Sequence, residues 1–265
     1  MLLPALSVIH AQDNPAIFHR MGIMAGAQQM YFTDQQFSPL IYRANELKGV
    51  IFYEAKHNRS NWNASFSFST GTLFPPTLKE RKIYNTTEDI SGEVATDSFF
   101  VTGRTRTANF LLGYAYDLVK RTKWDLNAGI AIREELMYPS TFANVGTMNA
   151  LSLLLTGCLT FHPGPKNEWT ASINFPLMGY NSRFPYSGTV SQPNKTLLLA
   201  FFDGGTDFTS VDHYQQVNFN LGYRYALSQK WGIGADYEFE WLHYDQPLPL
   251  KLFSNGLTAK IDYSF

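Results

Sequence analysis

The residues of this sequence best placed to do chemistry are three carboxylates at every second position, Asp236, Glu238 and Glu240. In an extended strand that spacing puts all three on one face. Lining a narrow passage, such a row is a path for a small cation; facing Arg and Lys, it is one side of an interior salt-bridge network. Further charges with matching parity are Asp117, Asp125, Arg133, Glu135, Arg224, Lys260 and Asp262. Lys260 and Arg224 lie on the stretches flanking the acidic row and are its expected partners. Cys158 is the sole cysteine, and no Cys/His spacing would hold zinc, so neither a metal nor a cofactor is expected. Lys+Arg 21 against Asp+Glu 22 gives a net charge of -1, which speaks against a nucleic-acid partner.

Rows of alternating charge require strands to carry them. Of the 265 residues, 15% are aromatic and only 16% charged, against about 25% in soluble domains. No apolar run reaches the ~18 residues of a spanning helix. Period-2 alternation recurs instead. Trp231, Ile233, Ala235, Tyr237, Phe239 and Trp241 alternate with Gly232, Gly234 and the acidic row, and similar stretches centre near 66, 112, 128, 157, 172, 221 and 261. Two noisier strands fall at about 17–31 and 47–57, with the facing of their side chains open. Tight connections near 57–61, 119–122, 163–167 and 226–230 alternate with long ones near 32–46, 71–104, 137–146, 179–212 and 243–252. Short turns alternating with long loops describe an all-β, antiparallel up-and-down transmembrane β-barrel of about ten strands, with twelve as the alternative.

Each tight turn is followed by a tryptophan, namely Trp62, Trp124, Trp169 and Trp231. Indole favours the depth where hydrocarbon meets headgroups. Trp241 lies ten residues beyond Trp231 on the same face; at ~3.3 Å per residue and a tilt of ~40°, that is a rise of about 25 Å, the height of an outer-membrane apolar band. The five tryptophans are therefore expected at the two lipid interfaces, with the apolar faces turned to lipid.

The last strand, with Leu257, Ala259, Ile261, Tyr263 and Phe265, resembles the assembly signal of bacterial outer-membrane β-barrel proteins: a terminal aromatic, another two residues earlier, and hydrophobics at alternate positions before them. The hairpin rhythm extends the resemblance over residues 17–265. It implies periplasmic transit, insertion by the barrel-assembly machinery, and residence in the outer membrane of a Gram-negative bacterium. The apolar residues 1–11, ending at Ala11, read as the remnant of an export signal, with the barrel spanning 12–265.

Ten strands also invite comparison with outer-membrane proteases of the omptin type, which carry acidic pairs and an Asp/His pair at the outer rim. The nearest candidates are Asp203, Asp207, Asp212 and His213, but neighbours on a strand face opposite sides, and no paired-Asp motif stands at the matching early strand. His57, Ser60 and Asn61 resemble the His/Ser/Asn set of outer-membrane lipases only loosely, with the wrong spacing and in a short turn. No catalytic residue is assigned.

The long loops 71–104 and 179–212 are the expected seats of activity. The first carries Lys79, Arg81 and Lys82 and then Glu88, Asp89 and Glu93. The second carries the apolar run Leu197 to Phe202, expected as a β-extension over the mouth or as a docking surface. Arg104 and Arg106 share outward parity with Phe110 near the outer rim and suit lipopolysaccharide phosphates. The sequence thus predicts a non-enzymatic outer-membrane barrel acting through its loops as structural subunit, adhesin or partner of an envelope assembly. A narrow channel for small solutes or cations is the alternative, and an omptin-like rim protease the second. Expected partners are the lipid bilayer, lipopolysaccharide, the assembly machinery and a protein bound through loops or barrel wall.

Overall fold

The computed structural model describes residues 17–36, 38–78, 82–88, 92, 94–100, 102–140, 146–183 and 194–265. The export segment expected at 1–11 and the loop residues Lys79, Arg81, Asp89 and Glu93 lie outside the described residues.

The chain runs β1 (Phe18–Asp34), β2 (Ser38–His57), β3 (Ser60–Phe74), β4 (Lys82–Glu88), β5 (Val94–Phe100), β6 (Gly103–Lys120) and β7 (Trp124–Ser140). It continues through β8 (Met148–Gly164), β9 (Asn167–Arg183), α1 (Leu197–Gly205), β10 (Thr206–Ser210), β11 (Tyr214–Ala226), β12 (Trp231–Tyr244) and β13 (Leu250–Ser264). Ten of these strands close an antiparallel barrel in the order β9-β11-β12-β13-β1-β2-β3-β6-β7-β8, sealed by the pairing of β8 with β9. First and last strands meet from Arg20 opposite Ser264 to Asp34 opposite Leu250.

β10 is an extra strand on the barrel wall. It pairs with β9 from Met178 to Ser182, above the stretch of β9 that β11 takes. The seam runs from Ser210 to Asn218 on one side but only from Met178 to Asn174 on the other, so residues 211–213 are squeezed out as a turn. A Thr196 side chain accepting from the Leu199 N–H caps α1. The Leu197–Phe202 run is therefore helical and not the expected β-extension. Among the described residues β4 and β5 pair only with each other, as a hairpin on the outer rim.

Strand lengths also depart from expectation. Residues 32–46 form no long loop: β1 runs to Asp34, β2 starts at Ser38, and a tight turn joins them. The alternation is lost there because the inward side changes from polar to apolar, which disguises an unbroken strand. A 17-residue strand tilted by ~40° rises about 40 Å, well beyond an apolar band of about 25 Å.

The polarity of the wall accordingly inverts along its height. Toward the short turns Ile23, Ile51, Phe66, Leu112 and Ile130 are exposed on the outside, while the inside carries the charges. Toward the long loops the outward positions include the polar Gln29, Asn45, Thr72, Arg104, Arg106, Gln215 and Lys251, beside exposed Ile41, Tyr138, Tyr180 and Phe253. There the inside holds one buried apolar cluster, with Met30, Phe32, Tyr42, Leu73, Met137, Tyr214, Leu242 and Leu252 among its members. Each fully buried large side chain contributes about 1.5–3 kcal/mol. The outer part of the wall is thus a barrel around an apolar plug, continuous with a lower part of opposite polarity, apolar on the outside and charged within.

Candidate functional site

The lumen toward the short turns collects the predicted charges by strand parity alone, and each finds a partner. Arg224 donates from Nε to both oxygens of Asp262 at 2.9 Å. Lys260 reaches Asp236 at 3.2 Å, and Lys48 pairs with Glu238. Arg133 lies 2.6 Å from Glu135 and 3.4 Å from Glu240, and Gln216 donates to the same Glu240 oxygen at 2.5 Å. Asp117 and Asp125 flank Lys56, whose Nζ stands 3.4 Å and 3.8 Å from them. Asn61 donates to Asp117 at 2.6 Å. Each of these charged side chains stands in an ion pair; burial of these charges is tolerable only because they are paired.

Sequence parity missed other members of this network. Arg20, 3.0 Å from Glu168 and 3.3 Å from Glu54, crosses the lumen near the short-turn rim. Arg20, Lys48, Glu54 and Lys56 all belong to β1 and β2, where glycines and charges blur the alternation. The tight β1–β2 turn would have fixed their facing.

Above these pairs a polar layer closes the charged zone: Ser69 donates to Glu46 at 2.8 Å and Gln28 bonds the same carboxylate. The apolar plug follows, and over it lies a cap. Arg183 pairs with Asp34 and donates to the carbonyls of Gln246 and Leu248, both at 2.7 Å. Burial, first among the causes, pushes the Tyr244 phenol up to about 12, and it raises the Tyr42 and Tyr214 phenols as well.

The rim candidates do not converge into one cluster. Asp203 pairs with Lys195 beside α1, and Asp207 lies on β10. His213 sits in the 211–213 turn, so it and Asp212 do not face opposite sides of a strand: Nε2 is 3.6 Å from Asp212 and Nδ1 is 3.0 Å from Asp245. A hydrogen bond from Ser210 holds the Asp212 carboxyl below its usual range. Asp245 was not anticipated; it enters because the β12–β13 connection folds against the turn, its N–H donating to the His213 carbonyl at 3.3 Å. His57, Ser60 and Asn61 flank or start from a short turn, with Asn61 turned inward to Asp117.

On the outside, Trp62, Trp169, Trp231 and Trp241 are exposed and Trp124 is half-buried. Three of them pack on the cross-strand tyrosine directly opposite: Trp62 on Tyr114, Trp169 on Tyr223 and Trp231 on Tyr263, with centroids 4.8–5.0 Å apart. Leu257, Ala259, Ile261 and Phe265 are exposed on β13, with Tyr263 half-buried. Arg104 and Arg106 are exposed, and neither forms an ion pair among the described residues.

No protein-family model matches the chain. No curated protein matches it. Among solved structures, the outer membrane protease OmpT from Escherichia coli is similar over 94% of this chain and 96% of its own, with a TM-score of 0.52 and 9% identity. Neisserial surface protein A is similar over 94% and 99%, with a TM-score of 0.41 and 9% identity. The translocator domain of the autotransporter NalP from Neisseria meningitidis is similar over 96% and 90%, with a TM-score of 0.36 and 8% identity. The chain has the closed, antiparallel fold of bacterial outer-membrane β-barrels.

Proposed function

We propose that this protein is a plugged outer-membrane barrel without enzymatic activity, which works through its outer rim as an adhesin, structural subunit or partner of an envelope assembly. The observation that carries this reading is the apolar cluster filling the outer part of the lumen beneath the Arg183 cap. A water path must be lined by polar groups or kept wide, and thirteen buried side chains offer neither. The rim, by contrast, is elaborated. The β4–β5 hairpin is exposed along most of its length, and around α1 and β10 the side chains of Leu199, Phe202, Phe208 and Val211 are exposed. Apolar groups at a rim favour protein contact.

Gentle detergent extraction followed by pull-down tests the reading. A partner that is retained by the full chain and lost when the β4–β5 hairpin is replaced by a short turn supports it. Planar-bilayer recording is the control: steady openings from the unmodified protein would favour the narrow channel instead. A second reading, a rim hydrolase, rests on the His213–Asp245 pair at 3.0 Å. Peptide hydrolysis that disappears in His213→Ala and Asp245→Asn would replace the non-enzymatic proposal.

A further inference from the structure

Below the plug the lumen is a chamber with two lobes. The middle lobe measures about 300 Å³ and the lower one about 380 Å³, and Glu54 and Asn63 stand in the walls of both. The lower lobe is lined by residues close to the short-turn rim, including Phe18, Lys56, Asn61 and His162. The Lys56 and His162 side chains there are 35% and 34% exposed, so the chamber opens toward that rim. At its far end it stops at the layer of Gln28, Arg133 and Glu240 under the plug.

The charges of the middle lobe already have partners: Lys48 holds Glu238, Arg133 holds Glu240, and Glu54 faces Arg20. What remains is neutral and polar. Asn63, Ser67, Asn109, Asn174, Asn218 and Asn220 all line this lobe, and among the described residues none of these side chains hydrogen-bonds another protein group. The Asn218 Nδ2 is buried with no acceptor. Register sets these groups side by side, Ser67 opposite Asn109 on the β3–β6 seam and Asn174 opposite Asn218 on the β9–β11 seam. The two seams approach the lobe from different sides of the ring.

Each Asn offers two donors and an acceptor oxygen, and each hydroxyl offers both roles. A solute that matches this set carries several groups that donate and accept at once, which is the description of a polyol. A charged solute would find no unpaired counter-charge here and would have to disrupt an existing buried pair. Phe52, Met24 and Val50 supply an apolar wall for the C–H face of a ring. The volume falls at the lower end of small-molecule sites. We infer that the chamber below the plug binds a small neutral polyhydroxylated solute of monosaccharide size, entering from the short-turn rim.

The test uses the full chain in detergent micelles, with glucose as the neutral probe and glutamate as a charged probe of similar size, read by saturation-transfer NMR and calorimetry. The expected result is saturable glucose binding with a dissociation constant on the order of 1 mM and none for glutamate. Ser67→Phe, which fills the lobe, abolishes it. Asn218→Ala, which leaves the barrel's ion pairs untouched, weakens it about fivefold, the effect of one net hydrogen bond. The proposal is overturned if the unmodified protein shows no saturable glucose binding, if glutamate binds as well, or if Ser67→Phe binds glucose unchanged. Should Ser67→Phe fail to fold, unchanged affinity in Asn218→Ala overturns it equally.

Discussion

Arg183 at the end of β9 and Asp34 at the end of β1 meet across the mouth of the barrel, four strand positions apart in the ring. The same guanidinium holds the carbonyls of Gln246 and Leu248 and lies over the Tyr244 ring, 5.4 Å from its centroid. One side chain thereby ties β9, β1 and the β12–β13 connection over the plug. Because the sheet is continuous, a chord of this kind resists ovalisation of the outer end, which backbone pairing alone does not.

Replacing Arg183 by Met removes the buried cation facing the Asp34 carboxylate. Loss of one partner of a buried pair costs about 3–5 kcal/mol. The urea midpoint of the refolded barrel should fall accordingly, and Asp34→Asn added to Arg183→Met should recover part of the loss. Equal midpoints for Arg183→Met and the parent would show that the chord carries no load.

Alkali should loosen the outer end before the band nearer the short turns. A free tyrosine titrates near 10, whereas burial pushes Tyr244 up to about 12, with Asp207 adding to the rise and Arg183 opposing it. The folded state therefore holds this proton more tightly than the unfolded one. Its contribution to stability is complete below pH ~10 and is lost as pH climbs through about 12. Near-ultraviolet absorbance should resolve a late-titrating phenol that Tyr244→Phe deletes, together with part of the alkaline loss of stability. A phenol that titrates with the exposed tyrosines would contradict the burial argument.

The plug should be sensitive to truncation. Phe32 is 1% exposed and stacks with Tyr42 at 5.6 Å, so Phe32→Ala should cost about 3–5 kcal/mol. If the plug is what closes the lumen, combining Phe32→Ser, Tyr214→Ser and Leu242→Ser should create steady bilayer openings where the parent protein has none. A triple variant that folds and stays silent would place the closure elsewhere.

How much of this could be read in advance follows from where period-2 alternation carries information. From Trp231 to Trp241 in β12 and from Leu257 to the end of β13 each outward residue is apolar and each inward one small or charged, so Asp236, Lys260 and Asp262 are placed by counting. In β1 the inward side passes from Arg20 through Gly22 and Gln28 to Met30 and Phe32. A pattern that changes sign midway cancels itself, and a 17-residue strand reads as a shorter strand and a loop. The α1 helix was missed because its run of Leu, Ala and Phe suits either structure; the Thr196 cap decided it. Asp245 and Arg183 lie at strand ends, where partners are set by how connections fold, which no spacing encodes.

Trp231 and Trp241 mark the last prediction. Both are exposed on the outward face of β12, ten residues apart, with Tyr237 exposed between them. If lipid covers this face, the two indoles sit about 25 Å apart in height, one at each interface. In single-tryptophan proteins reconstituted into bilayers, both should respond most to quenchers carried near the headgroups, while Tyr237→Trp should respond most to quenchers at the acyl-chain ends. The inverted outer zone supplies the contrast: Gln215→Trp should be reached from water and spared by every lipid-borne quencher. Equal access of a water-soluble quencher to all four positions would mean that lipid does not cover this wall, and the division into a lipid-facing band and a water-facing extension would fail with it.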